Sequence, residues 1–256
     1  MNTKIIEITQ DAACIIENKN KNHFGIFTAG IQTCLIYIFE TNEATILIHD
    51  SGQLDLQSMA NIINSYGEIK NITVAFGINL LENHQERLSK LLTLIGKNPN
   101  DNIDVIESPY PTFSLCYRAE KTLELFADNE MPKDIIEIPN KQNIQTIIEL
   151  NNFFLTPNEQ SLIVDIQYIN SEFTNKSILK YSINEMLKIL EQQQDFFFQN
   201  LGLLMKGYEL SLYKLPLELI DLSKKYKVLN ISVEVDKKIQ TQAFTEFINI
   251  TKQSSQ

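Results

Sequence analysis

Four things are scarce in this chain, and each scarcity removes a class of protein. No apolar run reaches the roughly 18 residues that a membrane-spanning helix needs, so no membrane partner is expected. Basic residues are outnumbered: 22 Lys and Arg stand against 32 Asp and Glu, for a formal net charge of -10. Phosphate backbones are gripped by clustered Lys and Arg, so no nucleic-acid partner is expected either. Cysteine is limited to Cys14, Cys34 and Cys116, too few and too scattered for a disulfide framework. Free thiols in a reducing, cytosol-like compartment are the expectation. Glycine occurs only eight times, which argues against flexible Gly/Ser linkers.

The opening residues "MNTKIIEITQDAAC" contain no apolar core of signal-peptide length. A cytoplasmic location is therefore expected, with export to a host cytosol by a route lacking a cleavable signal as the alternative. No His, Cys and Asp cluster has the spacing of metal ligands. No glycine-rich phosphate loop follows any predicted strand. Neither a metal nor another cofactor is expected.

What is present is a globular composition, 43% apolar, with mixed α/β patterning. Short β-branched and aromatic runs predict strands at His23 to Thr28, Thr33 to Phe39, Ala44 to His49, Lys70 to Gly77, Ile103 to Glu107, Phe113 to Arg118 and Thr122 to Phe126. Helical spacing predicts helices over Leu54 to Gly67 and Glu82 to Gly96, each ending at a glycine. Further on, helices are expected over Asn143 to Phe154, Ile183 to Met205 and Ala243 to Lys252, and strands over Ser161 to Tyr168 and Val228 to Val235. The stretch "PNKQN" (Pro139 to Asn143) suggests a boundary, dividing a core at 1–138 from a C-terminal α/β extension at 139–256 packed on it.

Between two of the strands lies "ETNE", Glu40 to Glu43, a polar hairpin turn. A two-residue loop of Thr41 and Asn42 pairs Glu40 with Glu43. Carried along the hairpin, that register sets Cys34 directly opposite His49 on one face of the sheet. Opposed side chains have Cβ atoms roughly 4.5–5.5 Å apart, within hydrogen-bonding reach for a thiol and an imidazole. A neighbouring imidazole accepts the thiol proton and creates the thiolate nucleophile. The plainer reading is an inert core cysteine beside a capped strand-end histidine.

The stretch "TAGIQTC…ATILIHDSGQ" resembles the active-site hairpin of the Cys-His amidohydrolases and deamidases. These include the chemotaxis receptor glutamine deamidases, the catalytic domains of cytotoxic necrotizing factors, and the protein N-terminal asparagine amidohydrolases. The likeness covers about Phe24 to Gly77 and fades by Phe126. It implies a β-sandwich-like core with helices outside, a catalytic Cys34 and His49, and no cofactor. It also implies a site role for Thr28, six residues before Cys34 as in the receptor deamidases.

Around this pair, Thr28 is placed to orient His49. Gln32 and Thr33 flank the cysteine as pocket residues. Gly30 allows a positive φ and backbone N–H groups for an oxyanion hole. Asp50 is expected on the opposite face from His49, available to substrate only at the strand end. The expected activity is deamidation of an Asn or Gln side chain on a protein or peptide, through a thioester. N-terminal Asn, internal Gln on a host regulatory protein, and transamidation are the variants. A non-catalytic protein-binding module on the same scaffold is the competing class.

Overall fold

Isoleucine-rich and aromatic runs suit a pleated surface buried on one face or both. In a computed structural model that describes residues 4–77, 82–98, 103–118, 120, 122–127, 130–132, 135–136, 146, 149–150, 162–170, 172–175, 200–209, 245–246 and 249, such runs build two mixed sheets. Among the described residues the first sheet has five strands, β1 (Lys4–Ile8), β3 (Phe24–Ile31), β8 (Phe113–Arg118), β9 (Leu123–Ala127) and β10 (Ile135–Ile136), in the order β10-β1-β3-β8-β9. The second has seven: β2 (Ala12–Glu17), β4 (Leu35–Thr41), β5 (Ala44–Asp50), β6 (Ile69–Phe76), β7 (Asp104–Glu107), β11 (Ile166–Ile169) and β12 (Glu172–Asn175). Their order is β12-β11-β2-β5-β4-β6-β7.

The sheets face each other. Alternation along each strand turns Ile26 and Thr28 of β3 and Tyr117 of β8 toward Ile36, Ile38 and Glu40 of β4 and His49 of β5. Two side-chain hydrogen bonds cross the gap, Thr28 to His49 and Tyr117 to Glu40. The other face of the first sheet gathers Ile5, Phe27 and Cys116 against Phe126 and Ile135. The other face of the second sheet carries Tyr37, Phe39 and Asp50, with the Tyr37 and Phe39 rings stacked 6.1 Å apart. Helices lie on that side: α1 (Leu56–Asn64), capped by Asp55 through Ser58 N at 2.8 Å, and α2 (Glu82–Leu94), tied to Asp50 by Arg87. The fold is α+β around a sheet core, as the pattern predicts.

Two differences from the sequence reading bear on the site. First, β1 and β2 escaped it. The segment β2, "AACIIE", is buried from Ala12 to Ile16 because it lies inside its sheet between β5 and β11. A strand buried on both faces loses the alternation that betrays a strand. Second, the hairpin register is displaced. The pairs run from Leu35 with Asp50 to Glu40 with Thr45, so His49 stands opposite Ile36 rather than Cys34. The Thr41 hydroxyl accounts for this by closing the turn itself. Its Oγ1 accepts Ala44 N at 2.9 Å and Glu43 N at 3.2 Å, which holds Thr41 in the strand and makes Asn42 and Glu43 the loop. Asn18 Nδ2 clamps the turn through the carbonyls of Thr41 and Asn42, and Asn42 Oδ1 accepts Glu68 N.

The chain divides into two compact units, Met1–Lys141 with Ser161–Ser177, and Gln142–Gln160 with Ile178–Gln256. The first holds both sheets, α1 and α2. The return of Ser161–Ser177, which supplies β11 and β12, is something a single cut at 138/139 leaves out. In the second unit α3 (Leu201–Glu209) is described. The expected helices at 143–154 and 243–252, the first part of that at 183–205, the strand at 228–235 and the Phe196–Phe198 run lie wholly or largely outside the described residues. No helix among the described residues is long and apolar enough to cross a membrane.

Candidate active site

One end of the gap between the sheets collects the chemistry. Strand β3 reaches it through an irregularity: Thr28 pairs with Leu115 and Ile31 with Phe113, so β3 carries one extra residue. Gly30 sits in that bulge with φ +69, a conformation that costs an L-residue with a side chain roughly 1–2 kcal/mol. Thr28 is the last regular position before the bulge and is fully buried. Its Oγ1 lies 2.7 Å from His49 Nδ1.

His49 is 1% exposed. Burial lowers its pKa to about 3, so the ring is neutral at physiological pH. Its second nitrogen, Nε2, is buried and has no hydrogen-bond partner. Buried polar atoms are almost always paired, so this one calls for a reason. The sign of its linkage to stability is direct. Between the folded value near 3 and the ordinary value of 6.5 the unfolded chain binds the extra proton. Stability held above pH 6.5 is therefore lost as the pH falls toward 3. Urea unfolding of wild type and His49→Phe at several pH values is expected to give a flatter acid limb for the variant.

Cys34 stands just before β4, two residues ahead of Ile36, the residue opposite His49. Were the alternation of β4 to continue one residue past its start, Cys34 would be a diagonal neighbour of His49, at a spacing of roughly 7–8 Å. The direct opposition expected from the turn is not formed: Ile36 takes that place, and Cys34 lies outside the paired strand. Cys34 is 6% exposed. Its thiol is pushed up to about 12, chiefly by burial and further by the charges of Asp11 and Asp50, while a backbone hydrogen bond with Gln32 opposes them. The thiol donates to Gln10 Oε1 at 3.9 Å. Both members of the pair are neutral in this state.

Gln32 and Thr33 are exposed on the loop entering Cys34, and Gln32 Nε2 donates to Thr112 Oγ1 at 3.1 Å. A Cβ on Gly77 would lie 2.9 Å from the Gln32 carbonyl oxygen, so only glycine lets β6 end so close to this loop. Asp50 belongs to the other face, as expected. It is fully buried, with both carboxylate oxygens bonded to Arg87 and with Gly52 N at 2.9 Å. A cavity of about 390 Å³ on that helix side is lined by Ser51, Gly52, His84 and Arg87, and none of Cys34, His49 or Thr28 borders it. Cys14 and Cys116 are fully buried in β2 and β8.

Sequence reasoning missed two residues here, Gln10 and Asp11, because it missed the strands flanking them. The chain passes from the first sheet to the second through Thr9, Gln10 and Asp11. Asp11 takes φ +58, which Asp tolerates better than most residues. Its N–H donates to the His49 carbonyl at 2.7 Å, and its carboxylate accepts Ser51 N and Ser51 Oγ, each at 3.0 Å. Burial raises the Asp11 pKa most strongly, against hydrogen bonds from Ser51 and Gln10 that lower it. The signal in the sequence was "TQD" between two isoleucine-rich runs.

Among the described residues no group of three or more His, Cys, Asp or Glu is placed to hold a metal ion. The chain matches no protein-family model and no curated protein.

The Thr28 contact is testable on stability. Thr28→Val keeps the shape and strands His49 Nδ1, at an expected cost of about 1–3 kcal/mol. Thr28→Ser keeps the hydroxyl and loses one methyl, about 0.8 kcal/mol. Equal costs in urea unfolding would show that the hydroxyl does not hold the ring.

Proposed function

We propose that the protein is a cysteine-dependent amidohydrolase that deamidates an Asn or Gln side chain of a protein or peptide. The observation that carries this reading is the state of His49: an imidazole held by Thr28 at one nitrogen, unpaired at the other, opposite Ile36, two residues along the chain from Cys34. The family resemblance of the hairpin supports it, and so do three free, buried cysteines, which suit a reducing compartment.

In this mechanism the thiol proton passes to His49 Nε2 as Cys34 Sγ bonds to the amide carbon. Backbone N–H groups of the Gly30–Cys34 loop are the candidate donors to the oxyanion. His49 returns the proton to the departing ammonia. The thioester that remains is hydrolysed by water, deprotonated by His49, to give Asp or Glu and free thiol. No step needs a cofactor. N-terminal Asn and internal Gln are both admitted as targets, and an amine in place of water gives a transamidase. Cytoplasmic action, in the producing cell or after transfer to a host, belongs to this reading.

A second reading rests on a specific observation: Cys34 is bonded to Gln10 rather than His49, with its thiol pushed up to about 12. On that reading the scaffold is a protein-binding module with an inert cysteine. The deciding assay supplies the full chain with Asn and Gln peptides, N-terminal and internal, and follows ammonia release together with the mass gain of amide-to-acid conversion. Release by wild type and none by Cys34→Ala supports the enzyme. No release from any peptide or protein extract would leave the binding module.

A further inference from the structure

Two facts at this site fit poorly with a resting enzyme and well with a held one. The thiol of Cys34 has an acceptor, but it is the Gln10 carboxamide at 3.9 Å. The nitrogen expected to receive its proton, His49 Nε2, is buried and unpaired. We propose that Gln10 is a latch that keeps the Cys34 thiol off His49, and that an incoming primary carboxamide opens it. The inference deepens the deamidase reading and rests on it for the identity of the opening group.

The latch is built, not incidental. Gln10 Nε2 donates to Asp11 Oδ2 at 3.2 Å, which turns the carbonyl end of the amide toward the sulfur. Asp11 is itself fixed by both Ser51 donors and by its own N–H on the His49 carbonyl. Gln10 therefore hangs from a corner that moves only with the end of β5. A left-handed φ at a non-glycine residue is kept where surrounding bonds over-determine it, and such strain gathers at functional sites.

Release needs little movement. Cys34 lies outside β4, beside the exposed Gln32 and Thr33, and a change of χ1 moves its sulfur from one staggered position to another. Cys34 is two residues from Ile36, the partner of His49, so the movement the latch prevents is a short one toward the gap between the sheets. The latch is a primary carboxamide, the group that the proposed substrate brings. A substrate amide donating to Asp11 takes the place of Gln10 Nε2, and Gln10 Oε1 then loses its aim at the sulfur. The thiol is thus freed for His49 when the group to be attacked has arrived. Water and stray electrophiles meet only the held thiol.

The test needs no substrate. Alkylation of each cysteine by iodoacetamide is followed by peptide mass spectrometry at neutral pH, on the full chain. Gln10→Met keeps the volume and removes the acceptor. Gln10→Asn keeps the amide and withdraws it by one methylene. Each is expected to speed alkylation of Cys34 by roughly three- to tenfold, the weight of one neutral hydrogen bond. Cys14 and Cys116, both 0% exposed, act as internal controls and stay slow if the fold is intact. In Gln10→Met/His49→Phe the gain is expected to vanish. An unchanged Cys34 rate in both single variants overturns the latch. So does a gain that persists without His49, which would make Gln10 a mere cover. Failure of the deamidase reading is visible separately, as a Cys34 gain in this assay alongside no ammonia from any peptide.

Discussion

His49→Phe is expected to lower kcat/KM for ammonia release from an Asn or Gln substrate by roughly 10²–10⁴-fold, the usual contribution of a positioned general acid–base. Phenylalanine retains the ring in a site that is 1% exposed, so the loss is not one of packing. The effect is expected mainly in kcat, because the imidazole acts on the proton and not on the substrate's grip. Its direction follows from the charges already described. With the thiol near 12 and the imidazole near 3, no standing thiolate–imidazolium pair is available. On the proposed mechanism the nucleophile is made during attack, as the amide oxygen gathers charge and the proton passes to Nε2. Without Nε2 that proton loses its proposed acceptor, and a neutral thiol is a poor nucleophile toward an amide. Cys34→Ala is expected to remove the reaction entirely. Activity within about threefold of wild type in His49→Phe, with ammonia still dependent on Cys34, would assign the base elsewhere. Absence of any effect of Cys34→Ala would remove the mechanism.

The legible parts of this site were those that a local pattern can carry. Strands β4 and β5 announce themselves through β-branched and aromatic runs, and a strand running on through Cys34 would share a face with His49 whichever two-residue loop joined them. The loop itself was misread, because the choice between Thr41–Asn42 and Asn42–Glu43 depends on a side-chain bond from Thr41 Oγ1 to two backbone N–H groups. That bond sets Ile36, not Cys34, opposite His49. The Thr28 contact is of a different kind. It spans two sheets, and no periodicity in the chain reports which residue of β3 lies over His49. The resemblance to known deamidases singled out Thr28, and the geometry places its hydroxyl on the ring. Gln10 and Asp11 were invisible because β2 is buried on both faces and carries no alternating signal. Arg87 was hidden for another reason: a basic residue in "HQERLSK" looks like any solvated helix face until β5 places a carboxylate beneath it.

That carboxylate gives the largest expected effect on stability. Arg87→Met is predicted to destabilise the fold by about 3–5 kcal/mol, the cost of leaving a buried charge without its partner. Asp50 is fully buried, and the Arg87 side chain is 16% exposed. The pair is bidentate, with Nε on Oδ2 at 2.6 Å and Nη2 on Oδ1 at 3.0 Å. Arg87 Nη2 also donates to the Leu54 carbonyl, so one guanidinium ties α2 to the end of β5 and to the segment before α1. Methionine fills much of the same volume, which confines the loss to charge and hydrogen bonds. Replacing both partners, Asp50→Leu with Arg87→Met, is expected to recover a large part of it, since the desolvated charge then disappears with its partner. Urea unfolding of the three variants measures the coupling. A double variant as unstable as Arg87→Met would shift the cost to the Leu54 bond. Activity is expected to follow stability here, because Asp50 is bonded in sequence to His49, and the end of β5 that Arg87 secures also presents the imidazole to Thr28.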